Sequence, residues 1–290
     1  MGLLSASGPR MARDALPRPV LKWAGGKRQL LPELLAQIDR AGPFGRYHEP
    51  FIGGAAVYFE LSRLGRLAGG ASIADVNVNL VEVYTAIRAD VAGVIDRLEA
   101  HGAAHRANSE AHYYAVREHV PATLVDRAAR VLYLNRTCFN GLYRENARGL
   151  FNVPFGAQGS PTICNRPLLE AAARALQPTE VRCAGFATVL DRAVAGDLVY
   201  LDPPYVPLSA SSSFASYAKG GFGPADQAAL AGVVGELDRR GVKVVLSNSM
   251  TARVRELYGA LRITTVLASR RVNSRADRRG DVEEALVTNF

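Results

Sequence analysis

Seven short runs along the chain are rich in Val, Ile, Leu and Tyr: 46–51 (RYHEPF), 71–75 (ASIAD), 181–184 (VRCA), 197–202 (DLVYLD), 242–247 (VKVVLS), 261–267 (LRITTVL) and 284–289 (EALVTN). Gly, Asp or Asn bounds most of them, so each reads as a strand. Longer segments change the period. Residues 28–39 place Leu30, Leu31, Leu34, Leu35 and Ile38 on one helical face, and 224–240 open with Pro224 and Asp226 and continue as an amphipathic helix. Strands alternating with helices predict a mostly parallel, doubly wound α/β sheet. The last two strands are joined by a loop alone, which predicts antiparallel pairing.

Between the second and third strands the strand signal lapses. Segments 80–99, 109–119 and 122–135 read as helices, with Ser109 as the N-cap of the second. The expected organisation is a loose tail at 1–15, a sheet domain from 16–78 and 166–290, and a helical insert at 79–165. No run of apolar residues reaches the ~18 needed for a membrane span. Composition is that of a folded protein, at 48% hydrophobic and 21% charged. Cys138, Cys164 and Cys183 contain no C-x-x-C pair, so neither a disulfide framework nor a cysteine zinc site is expected, and a reducing, cytoplasmic setting fits.

Charge alters the picture. The net charge is +8, and residues 270–279 (RRVNSRADRR) set five arginines against Asp277 in what reads as a basic loop. Such a surplus favours a polyanionic partner, because neutralising phosphates releases counterions.

Four motifs then carry chemistry. Asp202-Pro203-Pro204-Tyr205 ends a strand, where open α/β sheets place ligands. Its acidic oxygen, free carbonyl and aromatic face suit a flat heterocycle with an exocyclic amine; the alternative is a rigid turn with a packed tyrosine. Glu49-Pro50-Phe51-Ile52-Gly53-Gly54 is a strand–turn–helix unit, and Asp75 follows at a spacing that suits a carboxylate on ribose hydroxyls. The fingerprint G-x-G-x-x-G is missing, which disfavours a dinucleotide and a nicotinamide dehydrogenase. Lys22-Trp23-Ala24-Gly25-Gly26-Lys27 is not a phosphate loop, since Leu21 and Arg28 stand where Gly and Ser or Thr are required. It reads either as a cofactor wall or as a tryptophan anchoring the chain start to the core. Residues 135–144 (NRTCFNGLYR) and 151–156 (FNVPFG) mix aromatics, amides and arginine without period, which suits contact with base edges as well as it suits an ordinary structured loop. His101 and His105 have metal-ligand spacing, but Gly102 intervenes and no third ligand is near, so a solvated polar face is expected.

Together the blocks LKWAGGK, EPFIGGAAVYF, ADVN, NRTCFNGLYRENARGLFNVPFG with DPPYVPL, and LSNS…VNSRADRRG resemble, in order and over roughly 19–289, the Dam-type (D12 class, alpha group) DNA adenine-N6 methyltransferases. The resemblance implies a class I S-adenosylmethionine-dependent methyltransferase fold, Rossmann-like with a seven-stranded sheet and a helical target-recognition insert. It implies cofactor contacts at Trp23, Lys27, Phe51, Gly53, Asp75, Phe186 and Asp202, catalytic residues Asp202, Pro203, Pro204 and Tyr205, and no metal. DNA contacts fall on Lys22, Phe139, Asn140, Leu142, Arg144, Asn146 and Pro154. The partner implied is double-stranded DNA, with a GATC-like site and a flipped adenine, in a bacterial or phage cytoplasm at the nucleoid; a cognate restriction endonuclease is admitted. Glu145, Leu150 and Ala157-Gln158 depart from the family pattern beside the reading loop. Among competing classes, an RNA or protein amino-methyltransferase would keep the proline turn, although protein-glutamine enzymes typically carry Asn in place of Asp202. A non-enzymatic DNA-binding module would have no use for the glycine turn and DPPY together.

Overall fold

The computed structural model describes residues 15–23, 25–146, 148–157, 159–206, 222–269 and 281–290. The basic stretch at 270–279, Gln158 and all but the last residue of the 1–15 tail lie outside them.

Seven strands form one sheet: β1 (Tyr47–Glu49), β2 (Ala71–Asp75), β3 (Thr179–Cys183), β4 (Leu198–Leu201), β5 (Lys243–Ser249), β6 (Arg262–Ser269) and β7 (Asp281–Thr288). Their order is β3-β2-β1-β4-β5-β7-β6. β1 to β5 pair in parallel, while β7 runs antiparallel between β5 and β6, with Ser247 opposite Leu286 and Ser249 opposite Glu284. The seven expected strands and the antiparallel last pair are all present. β1, β2 and β4 are buried almost throughout, as a sheet covered on both faces requires.

Nine α-helices are described: α1 (Leu31–Arg40), α2 (Ala56–Arg63), α3 (Val78–Ala89), α4 (Val91–Ala107), α5 (Ser109–Glu118), α6 (Leu124–Thr137), α7 (Arg166–Leu176), α8 (Pro224–Arg239) and α9 (Ala252–Tyr258). One hydrophobic cluster runs without a break from Tyr47 and Ile73 of the sheet through Tyr84 of α3 to Val94, Tyr113 and Tyr133 of the following helices.

Four details differ from the sequence reading. The helix expected over 80–99 is split at Asp90, which ends α3 and caps α4, its carboxylate accepting from Gly93 N at 2.9 Å. A short acidic side chain competes with the helical backbone for such donors. The cap of α5 is Asn108, accepting from Ala111 N, and Ser109 is already helical. His101 and His105 do not form a solvated face. His105 is buried and its ring bonds the Tyr133 hydroxyl at 2.9 Å, while His101 stacks on Tyr133 and pairs with His112 at 3.1 Å. Burial lowers the pKa of all three imidazoles, with His101 pushed down to about 4. Helices α7 and α9, which hydrophobic runs alone did not reveal, start at Asn165 and Thr251, whose side chains accept from Leu168 N and Val254 N.

Candidate active site

The strand order reverses between β1 and β4, because the chain moves outward to β2 and β3 on one side and to β5 on the other. At such a switch point the carboxyl ends of the strands open a crevice. Phe51 and Gly53 follow β1, Asp75 closes β2, Phe186 follows β3, and Asp202 follows β4. The topology therefore collects at one end of the sheet residues that lie up to 151 positions apart, from 51 to 202.

The glycine turn is built by its surroundings. Gly53 has φ +45°, and a Cβ there would meet Trp23 Cδ1 at 3.0 Å, so the indole packs against bare backbone. Gly53 N donates to Asp75 Oδ2 at 3.3 Å, Asn77 N donates to Asp75 Oδ1 at 2.9 Å, and the Tyr84 hydroxyl of α3 donates to the Gly53 carbonyl at 2.9 Å. Burial raises the Asp75 carboxyl above its usual range, with these amide donors opposing the shift. Phe51 and Phe186 stack with centroids 5.5 Å apart, and Phe222 closes an aromatic triangle at 5.7 Å from each. Trp23, Phe51, Gly53, Asp75 and Phe186 are all half-buried, accessible on one side and packed on the other.

The proline turn is held from β5, β7 and α8. Lys27, 7% exposed, places Nζ 2.9 Å from Asp202 Oδ1 and 4.5 Å from the centroid of the Tyr205 ring. Ser247 Oγ donates to the same Oδ1 at 2.8 Å. Both bonds fall on one oxygen, Oδ1. Desolvation raises the Asp202 pKa, with Lys27 and Ser247 pulling against it. The Tyr205 hydroxyl donates to Glu284 Oε2 at 2.6 Å, Gln227 Nε2 donates to the Pro204 carbonyl at 2.8 Å, and Val206 N donates to Asn248 Oδ1 at 3.0 Å. Pro203 is buried and Pro204 exposed. Glu49 lies buried near Asp202, takes the Tyr47 hydroxyl at 2.7 Å, and is pushed up to about 8 by burial.

A second group of residues is solvent-exposed. Lys22, Phe139, Asn140, Leu142, Arg144, Asn146 and Pro154 are all exposed. The fully buried Asn135 joins two of their segments: it accepts from Lys22 N at 2.8 Å and donates to the carbonyls of Lys22 (2.8 Å) and Gly141 (3.3 Å). Phe139 N donates to the Pro154 carbonyl at 2.9 Å, closing the loop on itself. Arg144 is steadied by Asn152, with Nε donating to Oδ1 at 2.7 Å. Of the described non-glycine residues, Ala55 and Asn140 take a positive φ, each 55°, one beside each of these two loops. Such backbone strain tends to gather at functional sites.

Ser247, Gln227, Asn248, Glu284 and Phe222 escaped the sequence reading as site residues. Ser247 and Asn248 sit within the LSNS block, which was a usable signal. Glu284 joins Tyr205 across 79 positions through sheet pairing alone. Among the described residues no cluster of three or more His, Cys, Asp or Glu could hold a metal ion, and no helix is long and apolar enough to cross a membrane.

A Type II methyltransferase of Lactococcus lactis subsp. cremoris, M1.LlaDCHI, is 37% identical over 281 residues, covering 94% of this chain and 95% of its own. M.MjaIII, a Type II methyltransferase of Methanocaldococcus jannaschii, is 36% identical over 94% of this chain and 99% of its own. The DNA adenine methylase of Vibrio cholerae is 32% identical over 93% and 95%. The family model for D12 class N6 adenine-specific DNA methyltransferase matches residues 23–272. With the glycine turn, the proline turn and the full block order in place, the chain belongs to the D12 class of N6 adenine-specific DNA methyltransferases.

Proposed function

We propose that this enzyme takes the methyl group from S-adenosylmethionine, accepts an adenine flipped out of duplex DNA, and acts at a GATC-like site. The observation that carries the reading is Asp202, fixed through Oδ1 by Lys27 and Ser247 at the strand end that leads into Tyr205; its Oδ2 would take the ligand.

The residues present fit the cofactor. The Gly53 turn leaves room that a Cβ would fill against Trp23, and Asp75, half-buried at a strand end, has acceptor capacity left for ribose hydroxyls. Trp23, Lys27, Phe51, Gly53, Asp75 and Phe186 would hold it, with Asp202 at the reacting end. Bound there, S-adenosylmethionine supplies an electrophilic methyl on a sulfonium.

The remaining work belongs to the protein. Adenine N6 lends its lone pair to the ring and is a poor nucleophile. It also lies within the base stack, so the nucleotide must leave the duplex. Asp202 Oδ2 and the Pro203 carbonyl accept its two N–H bonds and draw the nitrogen toward tetrahedral geometry. Burial makes Asp202 a stronger acceptor than a solvated carboxylate. Tyr205, braced by Glu284, gives the base a stacking face. Positioning and fixed electrostatics supply the acceleration.

Recognition falls to the insert over 79–165. Arg144 and Asn140 suit hydrogen bonds to base edges, Leu142 and Pro154 suit apolar contact, and Phe139 suits a gap in the stack. Lys22 and Asn146 complete the surface. The expected setting is bacterial or phage DNA in the cytoplasm, and the Type II names of two relatives admit a partner endonuclease. Sequencing of plasmid DNA treated with the pure protein and S-adenosylmethionine tests the reading: modified adenines should share one GATC-like context. Adenines modified without shared context, or label passing to RNA instead, would overturn it.

A further inference from the structure

Residues 142–146 alternate. Leu142, Arg144 and Asn146 are exposed, whereas Tyr143 and Glu145 turn inward and are half-buried. The outward set comprises proposed DNA contacts. The inward pair reaches a different place. The Tyr143 hydroxyl donates to Glu145 Oε1. Asn79 Nδ2, on the first turn of α3, donates to the Tyr143 hydroxyl at 2.9 Å and to Glu145 Oε1 at 3.0 Å. The Tyr143 ring lies 4.9 Å from that of Trp23.

From Trp23 the contacts return to where they began. Trp23 walls Gly53, Gly53 N binds Asp75, and Asp75 binds Asn77 N. Asn77 caps α3, the helix that carries both Asn79 and Tyr84, and Tyr84 holds the Gly53 carbonyl. One helix therefore grips the cofactor turn at one residue and the reading loop at another. The ring Trp23–Gly53–Asp75–Asn77–Asn79–Tyr143 is continuous. Glu145 also gains a reason for its departure from the family pattern. Facing outward it would set a negative charge against phosphates; facing inward it is satisfied by Asn79 and Tyr143.

We propose that Tyr143, Glu145 and Asn79 are positioning residues that lock the base-reading side chains to the cofactor turn, so that cofactor and target DNA bind cooperatively. The inference rests on the reading that residues 142–146 face the duplex. Coupling of this kind is reciprocal and is measured as the factor by which one ligand tightens the other.

The test measures duplex affinity by fluorescence anisotropy with and without sinefungin, an analogue that cannot donate a methyl group. It uses a duplex carrying the mapped site and a shuffled duplex, with calorimetry for sinefungin on the free protein. In the wild type, sinefungin should tighten site binding about fivefold or more. Tyr143→Phe, which keeps the ring, and Glu145→Ala should bring that factor close to unity while leaving sinefungin affinity for the free protein nearly unchanged. Glu145→Gln, which can still accept from both partners, should retain most of the coupling. An unchanged factor in both variants, a wild type without coupling, or a parallel loss of sinefungin affinity and thermal stability would overturn the proposal. Arg144→Ala separates the two levels: if it leaves the ratio of site to shuffled binding intact, the DNA-contact reading fails and the coupling falls with it.

Discussion

The proline turn and the reading loop are both non-repetitive, yet they are held in opposite ways. The turn at 202–206 is fixed by side chains from distant strands and a helix: Ser247, Asn248, Glu284 and Gln227. Burial raises the pKa of its carboxylate, Asp202. The reading loop is fixed from beneath, through Asn135 and the Phe139–Pro154 backbone bond, while its proposed contact residues stay in solvent. Chemistry gains from a low local dielectric, where each hydrogen bond and charge counts for more. Recognition gains from side chains that exchange water for base edges.

The contrast breaks most sharply at Asp202. Asp202→Ala removes the proposed acceptor for the reacting amine, and a loss of about 10² or more in turnover is expected from tritiated methyl transfer. Anisotropy should find duplex binding largely kept, because no proposed reader is touched. Equal losses in both assays would merge the two regions.

Lys27→Met comes next. The working form of Asp202 is the carboxylate, so activity is present above its pKa and fades as pH falls through it. Burial raises that pKa and Lys27 lowers it. Removing the ammonium should therefore move the acidic limb of the kcat profile to higher pH. A limb that stays in place, or moves to lower pH, would show that Lys27 does not set the state of Asp202.

Asn135→Ala sharpens the other side of the comparison. It orphans the Lys22 amide and two carbonyls, and unfolding in urea should show a stability loss of about 1–3 kcal/mol, the usual cost of stranding buried polar groups. Site discrimination should fall with it, whereas sinefungin binding should survive. Smallest in total effect is Arg144→Ala, with a loss of about 1–3 kcal/mol of discrimination confined to one base pair, as for a lost bidentate contact. An unaltered ranking of substituted sites in a methylation assay would remove Arg144 from the reading set.

The same division explains what the sequence made legible. Strands, the antiparallel pair and the DPPY and glycine turns are written locally, as apolar runs with breakers between them. The split at Asp90 and the cap at Asn108 were misread because side-chain-to-backbone bonds leave no mark on hydrophobic period. The histidines were misread because Tyr133, which buries them, arrives from another helix. Glu284 and Tyr143 were invisible as site neighbours for a related reason: their partners are set by pairing across the sheet and by packing of α3, neither of which any single motif contains.

The most direct test is a crystal structure of the protein with sinefungin and a duplex bearing its mapped site. An extruded adenine should have N6 within about 2.7–3.2 Å of Asp202 Oδ2 and the Pro203 carbonyl, with its ring on Tyr205. An adenine left stacked in the helix, or one seated with its amine turned away from Asp202, would contradict the account.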